Sequence, residues 1–213
     1  MPEPSAKKQN RIQDIEQAGK IILVWILRLF IRSRKISVSQ IKTGSLRRIL
    51  VIRIHDPLGD VLLSSAVIPN LKKAIPDAAI DVITRPVIEP VFSGNPFLNR
   101  VIVFDKKKAF NPFYLAAFSM RLRREKYDLA LVIGSTSVSF SCLAIAYFSG
   151  APVRAGFSGK TFGREGYTRL FLTTEIPTDA SARHQTEKNL DILRFIGIPV
   201  SSNQHFMSTV TEE

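Results

Sequence analysis

The stretch RIHDPLGDVLLSS, residues 53–65, follows the apolar run ILVI and sets a glycine and a carboxylate where a buried strand turns into a helix. A carboxylate at such a junction can take a proton from a hydroxyl, the task of a general base. Gly59 removes a side chain beside it and lets a substrate come near. Asp60 then projects from the first turn of the helix, whose N-terminus favours the ionised form; burial beneath a substrate opposes that. The competing local reading is that Gly59 makes the turn and Asp60 caps the helix. Local physics leaves both open. The loop is not a nucleotide cradle: it has one glycine where G-x-G-x-x-G needs three, and no G-x-x-x-x-G-K-[ST] occurs.

Further polar residues flank this junction, each with two readings. His55 lies in the same loop, as a substrate contact or an ordinary loop histidine. Arg85 ends the second strand at the same edge, as a contact for phosphates or carboxylates or as a solvated strand-end charge. Ser135 follows the fourth strand and offers a hydroxyl. The glycine-rich GFSGKTFGREG, 156–166, offers Lys160 and Arg164 to phosphates, or simply to solvent. His184 suits a helix cap. No His, Asp and Glu set has metal spacing, and no nucleophile elbow accompanies a Ser, His and Asp. Cys142, the single cysteine, excludes an internal disulfide and a cysteine zinc cluster, and its apolar neighbours mark a buried structural thiol.

The elements that must position these residues alternate along the chain. Strands are expected at 47–54, 79–84, 100–105, 127–133 and 152–157. Helices are expected at 60–75, 86–94 (closed by Gly94), 111–126 (with Asn111 as cap before Pro112), 137–150 and 184–199. Short β-branched runs alternating with helices mean a parallel sheet covered on both faces, a Rossmann-like α/β domain over residues 46–200. Residues 201–213 carry no pattern and read as a loose tail.

The chain of 213 residues carries a net charge of +12, unevenly spread. Residues 1–48 hold eleven Lys and Arg against three Asp and Glu. A nucleic-acid reader more often carries its charge as a patch on the folded domain, and the aromatics here sit in an aliphatic run rather than as spaced stacking platforms. No nucleic-acid partner is therefore expected. Residues 1–45 read as a basic arm, an amphipathic helix and a linker, SVSQIKTGS at 37–45. The apolar stretch 21–31 is broken by Arg28 and reaches only about 17 Å, against about 30 Å of hydrocarbon. It suits a helix lying on an anionic membrane surface, with Trp25 and Phe30 sunk in and Arg28 and Arg32 at the headgroups, or a helix docked on protein.

Four stretches resemble, in order, glycosyltransferase family 9, the ADP-heptose:lipopolysaccharide heptosyltransferases: ILVIRIHDPLGDVLLSSAVIPNLKKAIPDAAIDVITRP, GNPFLNRVIVFD, REKYDLALVIGSTSVSFSCLAIAYFSGAPVRAGF and RHQTEKNLDILRFIGIP. The resemblance implies the N-terminal, acceptor-binding half of a two-domain GT-B architecture. It implies an inverting, metal-free transfer with no cofactor, in which Asp60 is the general base. The acceptor would be lipopolysaccharide-core sugars, and the nucleotide-sugar donor would bind a second domain. The chain departs from the family in having Ala66 where a proline is usual, with Pro69 later, and in VIGSTS at the fourth strand end. It stops where a second domain would begin, so the expectation is a truncated or split transferase, inactive alone. The location implied is cytoplasmic, peripheral on the inner membrane. The alternative is a catalytically inert membrane-surface binding module.

Overall fold

The β-branched runs build one sheet of six parallel strands in the computed structural model of the protein. It describes residues 31, 33–54, 58–134, 139–159, 167–178 and 184–200. The amphipathic helix expected in the arm, with Trp25, Arg28, Phe30 and Arg32, and the tail 201–213 lie outside the described residues. The strands are β1 Arg48–Ile52, β2 Ala79–Thr84, β3 Arg100–Val103, β4 Leu129–Val132, β5 Val153–Phe157 and β6 Thr174–Ile176. The helices are α1 Leu58–Ser64, α2 Val67–Ala74, α3 Glu89–Phe92, α4 Pro112–Arg124, α5 Phe140–Phe148, α6 Thr168–Phe171 and α7 Gln185–Phe195. The strand order is β3-β2-β1-β4-β5-β6. In this doubly wound order the chain reverses its direction of travel between β1 and β4.

Alternation along β1 divides the core. Ile49 and Val51 face a layer made by α1, α2, α3 and α7, where Val61, Ile68, Leu71, Phe92 and Leu190 are buried. Leu50 and Ile52 face the layer of α4, α5 and α6, with Leu122, Leu143 and Phe171. Both faces of the strands are dry, which is why they read as unbroken apolar runs. Cys142 is buried in the second layer, as its neighbours implied. Asn111 caps α4 by accepting from the amides of Phe113 and Tyr114 at 2.9 and 3.2 Å.

The structure corrects several boundaries. The helix expected over 60–75 is two, α1 and α2, with a turn at Ser65 and Ala66. Pro69 has no amide to donate to the Ser65 carbonyl, which accepts instead from Ile68 at 3.0 Å. The hydroxyls of Ser64 and Ser65 donate back to the carbonyls of Val61 and Leu62, each at 2.7 Å, and compete with the helix ladder. The helix expected over 86–94 is a 3-10 turn, Pro86–Ile88, followed by the single turn α3. β6 was not expected: three residues, TEI, are too few to show periodicity, and pairing with β5 defines them. Nor is 37–45 a free linker. Ile41 and Leu46 are buried in one layer and Ile31 in the other, so the segment crosses beneath the sheet before entering β1. Ser33 donates to the Leu170 carbonyl at 2.6 Å, and the Ile36 amide donates to Thr173 at 2.9 Å.

A polar cluster fastens the starting edge of the sheet. Asp81 of β2 is 1% exposed and accepts from Arg100 Nη2 at 2.7 Å, Tyr127 Oη at 2.6 Å and Asn99 Nδ2 at 2.7 Å. Glu125 accepts from Arg100 at 2.9 Å and pairs with Arg48 at 2.9 Å. Burial pushes the Asp81 carboxyl up, but the Arg100, Tyr127 and Asn99 donors outweigh it and hold it below the usual carboxylate range. The Tyr127 phenol is pushed up, by burial first and by Asp81 second.

Gly156 lies where β5 passes between β4 and Leu172. A Cβ there would stand 3.1 Å from Val132 Cβ and 3.2 Å from the Val132 carbonyl oxygen, neither able to move without the sheet. Gly156→Ala is expected to destabilise the domain by about 1–3 kcal/mol, measurable as a lower urea midpoint at unchanged slope.

Candidate active site

In an open parallel sheet, ligands bind beyond the carboxyl ends of the strands at the reversal of strand order. Here that point is the crevice between β1 and β4. From β1 the chain leaves through Arg53 and Ile54, and α1 begins at Leu58. Asp60 stands in its first turn, half-buried, at this edge. Its carboxylate has no hydrogen bond or ion pair among the described residues. It lies inside the helix rather than before it, so the N-cap reading of Asp60 is not the geometry observed.

Gly59 also lies within α1, and its backbone is not left-handed. The expectation that Gly59 makes the turn is therefore corrected. A Cβ at Gly59 would meet nothing within 4 Å. Neither turn geometry nor packing of the described residues requires glycine here. A glycine inside a helix costs about 1 kcal/mol relative to alanine, and nothing in the packing of the described residues offsets that cost. Gly59→Ala is expected to raise stability by up to about 1 kcal/mol, read as a higher midpoint in thermal melts; a lower midpoint would show that the fold itself needs the glycine.

Arg53 is the residue that sequence reading left without a role. It is 2% exposed. Its Nη1 donates to the Ile133 carbonyl at 2.8 Å and its Nη2 to the Asp60 carbonyl at 3.3 Å. One guanidinium thus ties the end of β4 to the first turn of α1, across the crevice. A signal was present: an arginine at the end of the buried run ILVIRI must find partners for its donors.

Arg85 follows β2 at the same sheet edge, half-buried, and its carbonyl starts the turn Pro86–Ile88 by accepting from Ile88 at 3.0 Å. It sits one strand away from β1. His55, Ser135, Lys160 and Arg164 lie outside the described residues. His184 caps α7, its Nδ1 accepting from the Thr186 amide at 3.3 Å. Among the described residues no three His, Cys, Asp or Glu side chains converge as metal ligands, and no helix is long and apolar enough to cross a membrane. An open depression of about 540 Å³ beside Arg123, Lys126 and Asp128 lies at the opposite edge, before β4 and β5, a strand length from Asp60.

Arg154 belongs to the segment GAPVRAGF that carried part of the resemblance. It is buried, and donates to the carbonyls of Phe171 at 2.6 Å and Ala151 at 2.7 Å and to Ser33 Oγ at 2.9 Å. Its guanidinium lies 5.3 Å from the Tyr147 ring centre. This arginine joins β5, α6 and the segment before β1; it is a clamp, not part of the crevice.

Sheet order, helices on both faces and a carboxylate at the strand reversal define a Rossmann-like domain of the kind that builds GT-B glycosyltransferases. Solved structures agree on the fold. A family 9 glycosyl transferase from Veillonella parvula superposes with a TM-score of 0.61 at 22% identity, over 78% of this chain and 44% of that one. Escherichia coli heptosyltransferase WaaC with ADP gives 0.58 at 20%, over 74% and 50%. Escherichia coli ADP-heptose lps heptosyltransferase II gives 0.57 at 24%, over 76% and 47%. No family model matches the chain. In sequence it is 42% identical over 161 residues to Escherichia coli lipopolysaccharide heptosyltransferase 3, covering 74% of this chain and 44% of that protein. The chain is thus similar in sequence to a lipopolysaccharide heptosyltransferase and in fold to a family 9 glycosyl transferase and two further heptosyltransferases. It spans under half the length of the curated relative it matches.

Proposed function

We propose that this chain is the acceptor-binding half of an inverting heptosyltransferase that extends the lipopolysaccharide core. The observation that carries the reading is the Asp60 carboxylate, half-buried at the strand reversal, with no partner among the described residues and with Gly59 open beside it. In the proposed reaction the acceptor hydroxyl oxygen attacks the anomeric carbon of a nucleotide-activated heptose. Asp60 takes the hydroxyl proton as the new C–O bond forms, and the bond to the nucleotide diphosphate breaks with its electrons on the leaving group. Arg53 is a positioning residue: it holds the first turn of α1 against β4 and so fixes where Asp60 stands. Arg85, with His55, Ser135, Lys160 and Arg164, is assigned to the sugars and phosphates of the acceptor. The donor is assigned to a second Rossmann-like unit, on the same polypeptide or another, and no metal is assigned to this half. The arm would lie on the anionic cytoplasmic leaflet through Trp25, Arg28, Phe30 and Arg32.

The test combines this chain with ADP-heptose, a core-truncated lipopolysaccharide and a donor-binding half of a family 9 relative. Transfer that depends on both halves supports the reading. Sugar binding without transfer in any combination favours the inert membrane-surface module instead.

A further inference from the structure

The outer face of α4 has a composition that the fold does not use. The inner face does the packing: Tyr114, Phe118 and Leu122 lie against the sheet layer, with the Phe104 and Phe118 rings 5.1 Å apart and Tyr114 Oη accepting from the Asp105 amide at 3.1 Å. The opposite stripe carries Phe113, 84% exposed, and Met120, 55% exposed. Phe110, in the 3-10 turn Lys106–Phe110 that leads into the helix, is 95% exposed. Two phenyl rings so placed on one short stretch are not scattered surface residues of the ordinary kind.

Around them the charge is mostly basic, with Asp105, which caps the turn and lies 3.8 Å from Lys108, as the acidic exception. Lys106, Lys107 and Lys108 are exposed on the turn, and Arg121 and Arg124 are exposed further along α4. Apolar side chains at the centre and basic ones at the rim match the two layers of an anionic lipid surface, acyl chains within and phosphates at the boundary. One further observation bears on the orientation. The turn Lys106–Phe110 follows β3, so it stands at the same sheet edge as Asp60.

We propose that Phe110, Phe113 and Met120, rimmed by Lys106–Lys108 and Arg121, form a membrane-docking surface on the folded domain, with an anionic phospholipid leaflet as its partner. This surface shares no residue with the arm and takes no part in the transfer chemistry. Docked through it, the domain presents the Asp60 edge toward headgroup height, where a lipid-linked acceptor carries its sugars.

The test is sedimentation of the full chain with phosphatidylcholine vesicles, with and without phosphatidylglycerol. The full chain should bind the anionic vesicles more tightly. Phe110→Ser with Phe113→Ser should lower the partition coefficient about tenfold or more on anionic vesicles. Reversing Lys106, Lys107 and Lys108 to Glu should cost on the order of a hundredfold, only on anionic vesicles. The exposed positions leave thermal unfolding unchanged. Contributions of arm and patch multiply, so an unchanged partition coefficient in the phenylalanine variant overturns the proposal. So does a concentration-dependent dimer that the same variant dissociates, which would make a second copy the occupant. A second readout needs no loss of binding: Phe113→Cys carrying an environment-sensitive dye, with Cys142 shielded in the core. A spectral shift to an apolar environment on anionic vesicles supports docking, and no shift rejects it. Transfer activity enters neither measurement, so a failure here is distinct from a failure of Asp60 as base.

Discussion

Asp60→Asn should lower kcat for heptose transfer by about 10²–10⁴-fold in an assembly that supplies the donor half, with little change in KM for the acceptor. The substitution keeps the shape of the side chain and removes its capacity to take a proton. Loss in kcat alone separates a base from a binding contact, which would show first in KM. The fold should not notice. Asp60 is half-buried and no hydrogen bond to its carboxylate exists among the described residues, so no donor there is orphaned by the change. Unfolding midpoints of the two proteins are expected to coincide. Turnover within a factor of a few of the parent would remove Asp60 as the base. Arg53→Lys supplies the contrasting case. A single ammonium cannot span the Ile133 and Asp60 carbonyls as the forked guanidinium does, so kcat and stability should fall together.

The second large effect is on stability. Asp81→Ala should destabilise the domain by about 3 kcal/mol, the lower end of what breaking a buried pair costs. The reason for the lower end is on the structure: Arg100 retains Glu125 at 2.9 Å and is 34% exposed, whereas the Tyr127 hydroxyl is left buried without its acceptor. For a chain of this size the loss corresponds to a fall of about 6–12 °C in Tm. The same cluster sets the acid limb. The Asp81 carboxyl is held below its unfolded value, so its contribution is complete above about pH 4 and drains away as pH falls through the folded value. Glu125, lowered chiefly by its hydrogen bond from Arg100, acts with the same sign. Tyr127 has the opposite sign. Its phenol is raised, so its contribution is whole below about pH 10 and declines at higher pH, where the unfolded chain ionises first. Denaturant midpoints across pH check both limbs: Asp81→Asn should flatten the acid side and Tyr127→Phe the alkaline side. An acid limb unchanged by Asp81→Asn would show that other carboxylates govern it.

The parallel sheet was written in composition. Strands buried on both faces must be continuous apolar runs, and ILVI, AIDVIT, RVIV and LALV could be little else. The Asn111 cap and the Gly94 stop, left-handed at φ 71°, were legible for the same local reason: one residue's geometry suffices to mark a helix end. Asp60 was singled out because a carboxylate at a strand-to-helix junction is chemically conspicuous. What the sequence left open was what depends on distant partners. The break between α1 and α2 needed Ser64, Ser65 and Pro69 acting together. β6 exists only because β5 offers an edge. The Arg53 bridge joins residues 80 positions apart, and the Asp81 cluster joins β1, β2, β3 and the end of α4, which no local window contains. The exposure of Phe110 and Phe113 is likewise a tertiary fact, since an aromatic in a helical stretch reads as core until the packed face is known. Backbone preference and apolar pattern act over a few residues and are visible in order along the chain; pairing of buried charge and choice of the solvent face are settled only when the layers close.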